Sequence, residues 1–121
     1  MRQAVRQRLQ AQIPGTVIDW GWNAQGAASP RIVLSVISGG DDATQDGASG
    51  LRENRVQVDC YAATYAGAAT LKEAVVQALH GWRSAPVIGA FKINERDFPP
   101  DTAAGEVLAR ISLDFNIHHK G

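Results

Sequence analysis

The 121 residues are enough for one domain, which on folding buries somewhat under about 70% of the unfolded surface and so holds a modest core. Twelve lysines and arginines balance 12 aspartates and glutamates, so the summed charge offers no general attraction to nucleic acid or to an anionic membrane. The single cysteine, Cys60, excludes an intrachain disulfide and a CxxC metal site. The N-terminus is basic (Arg2, Arg6, Arg8) but has no apolar h-region, and no later run is long enough to span a bilayer. The expected protein is soluble and intracellular.

In chain order, Val5, Leu9 and Ile13 stand four apart among arginines and glutamines, which predicts a short amphipathic helix over residues 1–13, ended by Pro14-Gly15. Thr16–Trp20 is compatible with a short strand, and Gly21 to Ser29 reads as loop. After Pro30, RIVLSVIS (Arg31–Ser38) is β-branched and nearly continuous in apolar content, as a central strand is. Gly39–Gly50 is small, polar and acidic and reads as an exposed loop.

From Arg55 to Tyr61 the residues alternate, with Val56, Val58 and Cys60 on one side and Arg55, Gln57, Asp59 and Tyr61 on the other, the period of a pleated strand. This strand should pair antiparallel with Arg31–Ser38. From Thr64 the period changes to that of an amphipathic helix of about five turns: Ala68, Leu71, Val75, Ala78, Leu79 and Trp82 share a face, Thr64 can cap the start, and Gly81 and Pro86 mark the end.

Val87–Asn94 alternates weakly, and the register through Val87, Gly89, Phe91 and Ile93 predicts burial of Phe91 and Ile93. A turn-rich stretch over Asp97–Gly105 follows. Val107–His118 alternates most cleanly, with Val107, Ala109, Ile111, Leu113, Phe115 and Ile117 against Leu108, Arg110, Ser112, Asp114, Asn116 and His118. The expected fold is α+β: a mainly antiparallel four-stranded sheet of two hairpins, one long helix packed on one face, and a short N-terminal helix. One domain, 1–121, is expected, with its sheet-helix body at 30–118.

The residues supply little chemistry. His118 and His119 point to opposite faces of a strand and cannot easily share an ion with His80. Cys60 falls on an apolar strand face, where a free thiol behaves as a small hydrophobe. The carboxylates Asp41, Asp42 and Asp46 lack the full calcium-loop spacing and its closing glutamate. The glycines of Gly40–Gly50 have no following lysine and no helix start, so they form no phosphate loop. No catalytic residue, cofactor or metal site is expected.

Contact residues are the better candidates. The polar face of Arg55, Gln57, Asp59, Arg110, Ser112, Asp114 and Asn116 is either a solvated sheet face or a surface that packs on a neighbouring subunit. Arg96-Asp97 is either a charged pair at a partner surface or a turn pair. Trp20 and Trp22, set among glycines, are candidate contacts, whereas Trp82 reads as core.

The run SGLRENRVQVDCYAATYAGAATLKEAVVQAL (Ser49–Leu79) resembles the tail-completion proteins of long-tailed bacteriophages, prophages and gene transfer agents, also described as tail-terminator or head-to-tail joining proteins. PRIVLSVISGG, GAFKINERDF and ARISLDFNIHH are similar to further strands of that family, so the resemblance covers roughly residues 25–119. It implies a non-enzymatic virion assembly protein that forms a ring, usually of six copies, at the head-proximal end of the tail tube. Such a ring stops tube growth and meets the connector. The implied partners are further copies of the chain, the tail-tube protein and the head-closure or connector protein, with DNA passing through the lumen without specific binding. The implied location is the virion, after assembly in the host bacterial cytoplasm. The acidic residues Asp41, Asp42 and Asp46 could face the lumen or an adjoining ring. An alternative reading is a small-molecule-binding or enzymatic α+β domain, which requires a concave pocket with convergent polar groups.

Overall fold

A computed structural model of the chain describes residues 2–21, 30–38, 44–46, 51–85, 87–103 and 106–120. The elements are α1 (Arg2–Gln12), β1 (Val17–Trp20), β2 (Arg31–Ser38), β3 (Thr44–Asp46), β4 (Leu51–Ala62), α2 (Tyr65–Leu79), β5 (Val87–Ala103) and β6 (Glu106–Lys120). The main sheet runs in the order β1-β2-β4-β6-β5, and β3 pairs with β4 off that path. All pairs are antiparallel except β1 with β2. Both helices lie on one face.

The core follows from the two periodicities. Ile32 and Leu34 of β2, Val56, Val58 and Cys60 of β4, and Ile111, Leu113, Phe115 and Ile117 of β6 are buried on the same sheet face. Val5 and Leu9 of α1 and Leu71, Val75, Ala78 and Leu79 of α2 close over most of it. A fully buried side chain of this size contributes about 1.5–3 kcal/mol relative to exposure, so this single layer of helix on sheet supplies the main driving force. At the start of α2 the Thr64 hydroxyl accepts the Gly67 amide at 3.0 Å, the expected N-cap. At its end Gly81 has φ +79, a left-handed turn that favours glycine.

The α+β class is as expected, and the detail departs from expectation in four places. The sheet is mixed and has five strands on its path, because Val17–Trp20 adds to β2 in parallel and buries Ile18. Helix α2 stops at Leu79 rather than reaching Trp82, which is partly buried outside the helix. Part of the expected acidic loop is strand, since Thr44–Asp46 pairs with Leu51–Glu53.

The fourth departure is at β5. It runs on through Pro99 and Pro100 to Ala103 and pairs antiparallel with β6 as far as Ala103 opposite Glu106, where a turn-rich stretch was expected. A proline is tolerated there because β5 is an edge strand whose outward amides need no ladder partner. Phe91 and Ile93 are 46% and 44% exposed, and Val87 and Ala90 are buried instead. The register shifts between Val87 and Gly89 and again between Lys92 and Asn94, and each extra residue moves the following side chains to the other face.

Candidate functional site

Alternation in β4 and β6 sends Val56, Val58, Leu113 and Phe115 to the core, so it must send Arg55, Gln57, Asp59, Arg110, Ser112 and Asp114 to the opposite face. Neither helix covers that face. Its carboxylates are nevertheless out of solvent: Asp59 is 4% and Asp114 1% exposed. A buried carboxylate is tolerated only when charge and hydrogen bonds compensate its lost hydration.

Arginines provide the compensation. Arg55 Nη2 donates to Asp114 Oδ2 at 2.9 Å, and Arg96 Nη2 donates to Asp114 Oδ1 at 3.1 Å. The Arg96 guanidinium also reaches the Ser112 hydroxyl at 3.5 Å. Arg110 donates through Nε and Nη2 to Asp59 Oδ1 at 3.2 and 3.1 Å, while the Gln57 amide donates to Oδ2 at 2.9 Å. The Arg110 guanidinium also lies 5.7 Å from the Tyr61 ring centre, a cation–π distance. Arg55 and Arg96 remain 41% and 43% exposed while covering Asp114. The polar face is therefore a layer of half-exposed guanidiniums over buried carboxylates, not a freely solvated surface.

Arg96 and Asp97 do not pair with each other. Register places Arg96 opposite Ser112 on the arginine-bearing face and Asp97 opposite Ile111 on the helix side. There the Tyr65 hydroxyl donates to Asp97 Oδ2 at 3.0 Å, and that hydrogen bond holds the phenol above its ordinary pKa. Beside them, Glu95 accepts from Lys92 Nζ at 2.7 Å and lies 3.5 Å from Lys72 Nζ. The Lys92 hydrogen bond pulls the Glu95 carboxyl below its usual range, and the hydrogen bond to Glu73 raises Lys72.

The remaining candidates separate. Trp20 is partly buried at the end of β1, donates from Nε1 to the Arg2 carbonyl at 3.1 Å, and lies under the Arg2 guanidinium at 5.4 Å. Trp22, Asp41 and Asp42 lie outside the described residues, and for Asp46 the described feature is its backbone pairing with Leu51. Cys60 is buried in the core, and burial pushes its thiol far above the ordinary range. Among the described residues no group of three histidines, cysteines or carboxylates is placed to hold a metal ion. Buried Asn54 and His119 hydrogen-bond to each other, and His118 faces Glu53 on the other side of β6.

Sequence reasoning missed the parts played by Arg31, Tyr65 and His80. Arg31 has the parity of the polar face and is 1% exposed, a parity that was readable. His80 accepts the Lys92 amide at Nδ1 and Gly81 donates to the Ala90 carbonyl, so the turn after α2 caps the outer edge of β5. No local pattern in the sequence announces that contact.

An open cleft of about 540 Å³ lies between the end of α1 and the start of α2, lined by Ile13, Pro30, Ala62, Gly67, Leu71 and Ala74 with three threonines. Among the described residues its lining holds no ionisable side chain, and its polar groups are threonine hydroxyls.

A protein-family model described as tail completion protein gp17 matches residues 3–120. A chain in a solved structure described as the virion of a native gene transfer agent particle is similar over 100% of this chain and 95% of that one, with TM-score 0.69 and 19% identity. At that identity the likeness is one of fold. No curated protein sequence matches significantly.

Proposed function

The chain belongs to the tail completion protein gp17 family, a family of structural phage-tail proteins, and on that premise we propose that its copies form a ring at the head-proximal end of the tail tube. The ring ends tube growth and joins the tail to the head connector, and by resemblance to the family it has six copies. The observation that carries the reading is the family match along nearly the whole chain. A virion-borne chain of the same fold supports placing this protein in the virion.

The surface fits such a role in physical terms. A closed ring of identical subunits needs a rigid body with two unlike contact surfaces, because heterologous contacts close head to tail. The body here is one helix-on-sheet core. The contact surfaces we assign are the face carrying Arg55, Gln57, Asp59, Arg96, Arg110 and Asp114, together with Asp97, Trp20 and Trp22. The acidic residues Asp41, Asp42 and Asp46 face the lumen or an adjoining ring. The partners are further copies of this chain, the tail-tube protein and the connector protein, and the protein does no catalysis.

Addition of the purified chain to polymerising tail-tube protein tests this. Growth should stop, and the tubes should be shorter in proportion to the chain added. Tubes of unchanged length with no chain bound would overturn the proposal.

A further inference from the structure

Strand β5 ends the sheet path, so alternate residues turn their backbone N–H and C=O groups away from β6. Two of these outward groups are taken by the turn that follows α2. The Gly81 amide donates to the Ala90 carbonyl at 2.7 Å, and the Lys92 amide donates to Nδ1 of His80 at 3.1 Å. The turn thus stands in for a further strand, with one backbone donor and one side-chain acceptor. The donor is fixed in place, since Gly81 has φ +79 and the Trp82 amide closes the turn on the Leu79 carbonyl at 3.0 Å. The acceptor is titratable.

Only the neutral imidazole has an acceptor nitrogen. Protonated at both nitrogens the ring can only donate, so no rotation of it receives the Lys92 amide. His80 is exposed to solvent protons, and imidazoles as a class change charge between about pH 5 and 8. The charged groups around it offer no compensation. On its own segment Lys72 and Glu73 pair with each other, and Arg83 is a further cation. On β5, Glu95 is held by Lys92 and Lys72. From β6, His118 stands across the Phe91 ring, whose centre is 6.2 Å from His80 and 6.0 Å from His118, and Glu53 of β4 lies 3.7 Å from His118. Among the described residues no ion pair includes His80. We propose that His80 is an acid-sensitive latch between the end of α2 and the β5 edge: the neutral imidazole closes the outward amide of Lys92, and its protonation releases that amide.

Residue-resolved amide hydrogen exchange on the full chain tests the latch, with each rate expressed as protection relative to the unstructured amide. Protection of Lys92 should fall about tenfold as the pH drops from about 8 to 5. The midpoint should coincide with the titration of the His80 ring protons in the same sample. Val58 and Leu113 in the inner strands should keep their protection, because the opening is local. His80→Ala has no acceptor, so its Lys92 amide should be weakly protected at both ends of the range and show no step. His118→Gln should keep the wild-type step.

A Lys92 protection that does not change with pH, a step that persists in His80→Ala or vanishes in His118→Gln, or a midpoint that follows the His118 ring would overturn the latch. Loss of protection at Val58 and Leu113 along with Lys92 would overturn it too, since the opening would then be global. None of these results touches the ring reading, on which the latch does not rest.

Discussion

Arg55 donates to Asp114 across the β4–β6 pair at 2.9 Å, although the register sets Gln57, not Arg55, directly opposite Asp114. The contact is a diagonal one, within reach of a long side chain. It leaves Asp114 covered from one side by Arg55 and from the other by Arg96.

Removal of Asp114 should therefore cost more than removal of either arginine. In Asp114→Ala both guanidiniums lose a charge-assisted partner, and a loss of about 1.5–3 kcal/mol is expected in chemical denaturation. Arg55→Ala and Arg96→Ala should each cost less, because the other arginine still holds the carboxylate. A double-mutant cycle between the two arginines should show coupling, since they share one partner. Equal losses for all three single variants would show that Asp114 is not jointly held.

Leu79 is fully buried against the sheet at the end of α2. Leu79→Ala should lower stability by about 2–5 kcal/mol through the cavity it leaves. Leu79→Asp should abolish the cooperative melt by burying an unpaired charge. A wild-type melting curve for Leu79→Asp would place the helix face wrongly.

Thr64→Ala removes the hydroxyl that accepts the Gly67 amide and should cost about 1 kcal/mol, with Thr64→Ser close to neutral. Comparable losses for alanine and serine would show that the cap does not act through this hydrogen bond.

The acid side of the stability profile has a defined sign at Glu95. Its folded pKa is lowered, chiefly by Lys92, so its contribution is present above the unfolded carboxyl value and fades as pH falls through the lower folded one. Glu95→Gln should flatten the loss of stability in that acid window and leave the profile near neutrality parallel to wild type. An unchanged acid slope would contradict the assignment.

Legibility in the sequence depended on whether a feature was local. The alternation of Val56, Val58 and Cys60, the helical spacing of Leu71, Val75 and Leu79, and the Thr64 cap are set by residues within a few positions of one another, and all appear in the structure as expected. The parallel addition of Val17–Trp20 to β2 was not legible, because no local pattern specifies a parallel partner. The burial of Ala90 in place of Phe91 turns on the bulge between Val87 and Gly89 in β5, a single extra residue that reverses the parity on which the reading depended. The polar face was legible as polar, but the depth of Asp59 and Asp114 was not. Carboxylates read as solvated until the arginines on β4, β5 and β6 that cover them are brought together by the fold.

The central claim, a closed ring that ends the tail tube, is tested most directly by electron microscopy of tail tubes assembled with this chain present. A single layer of the chain, with rotational symmetry, closing one end of each tube is the predicted result. Tubes open at both ends, or the chain bound along their sides without a terminal layer, would contradict it.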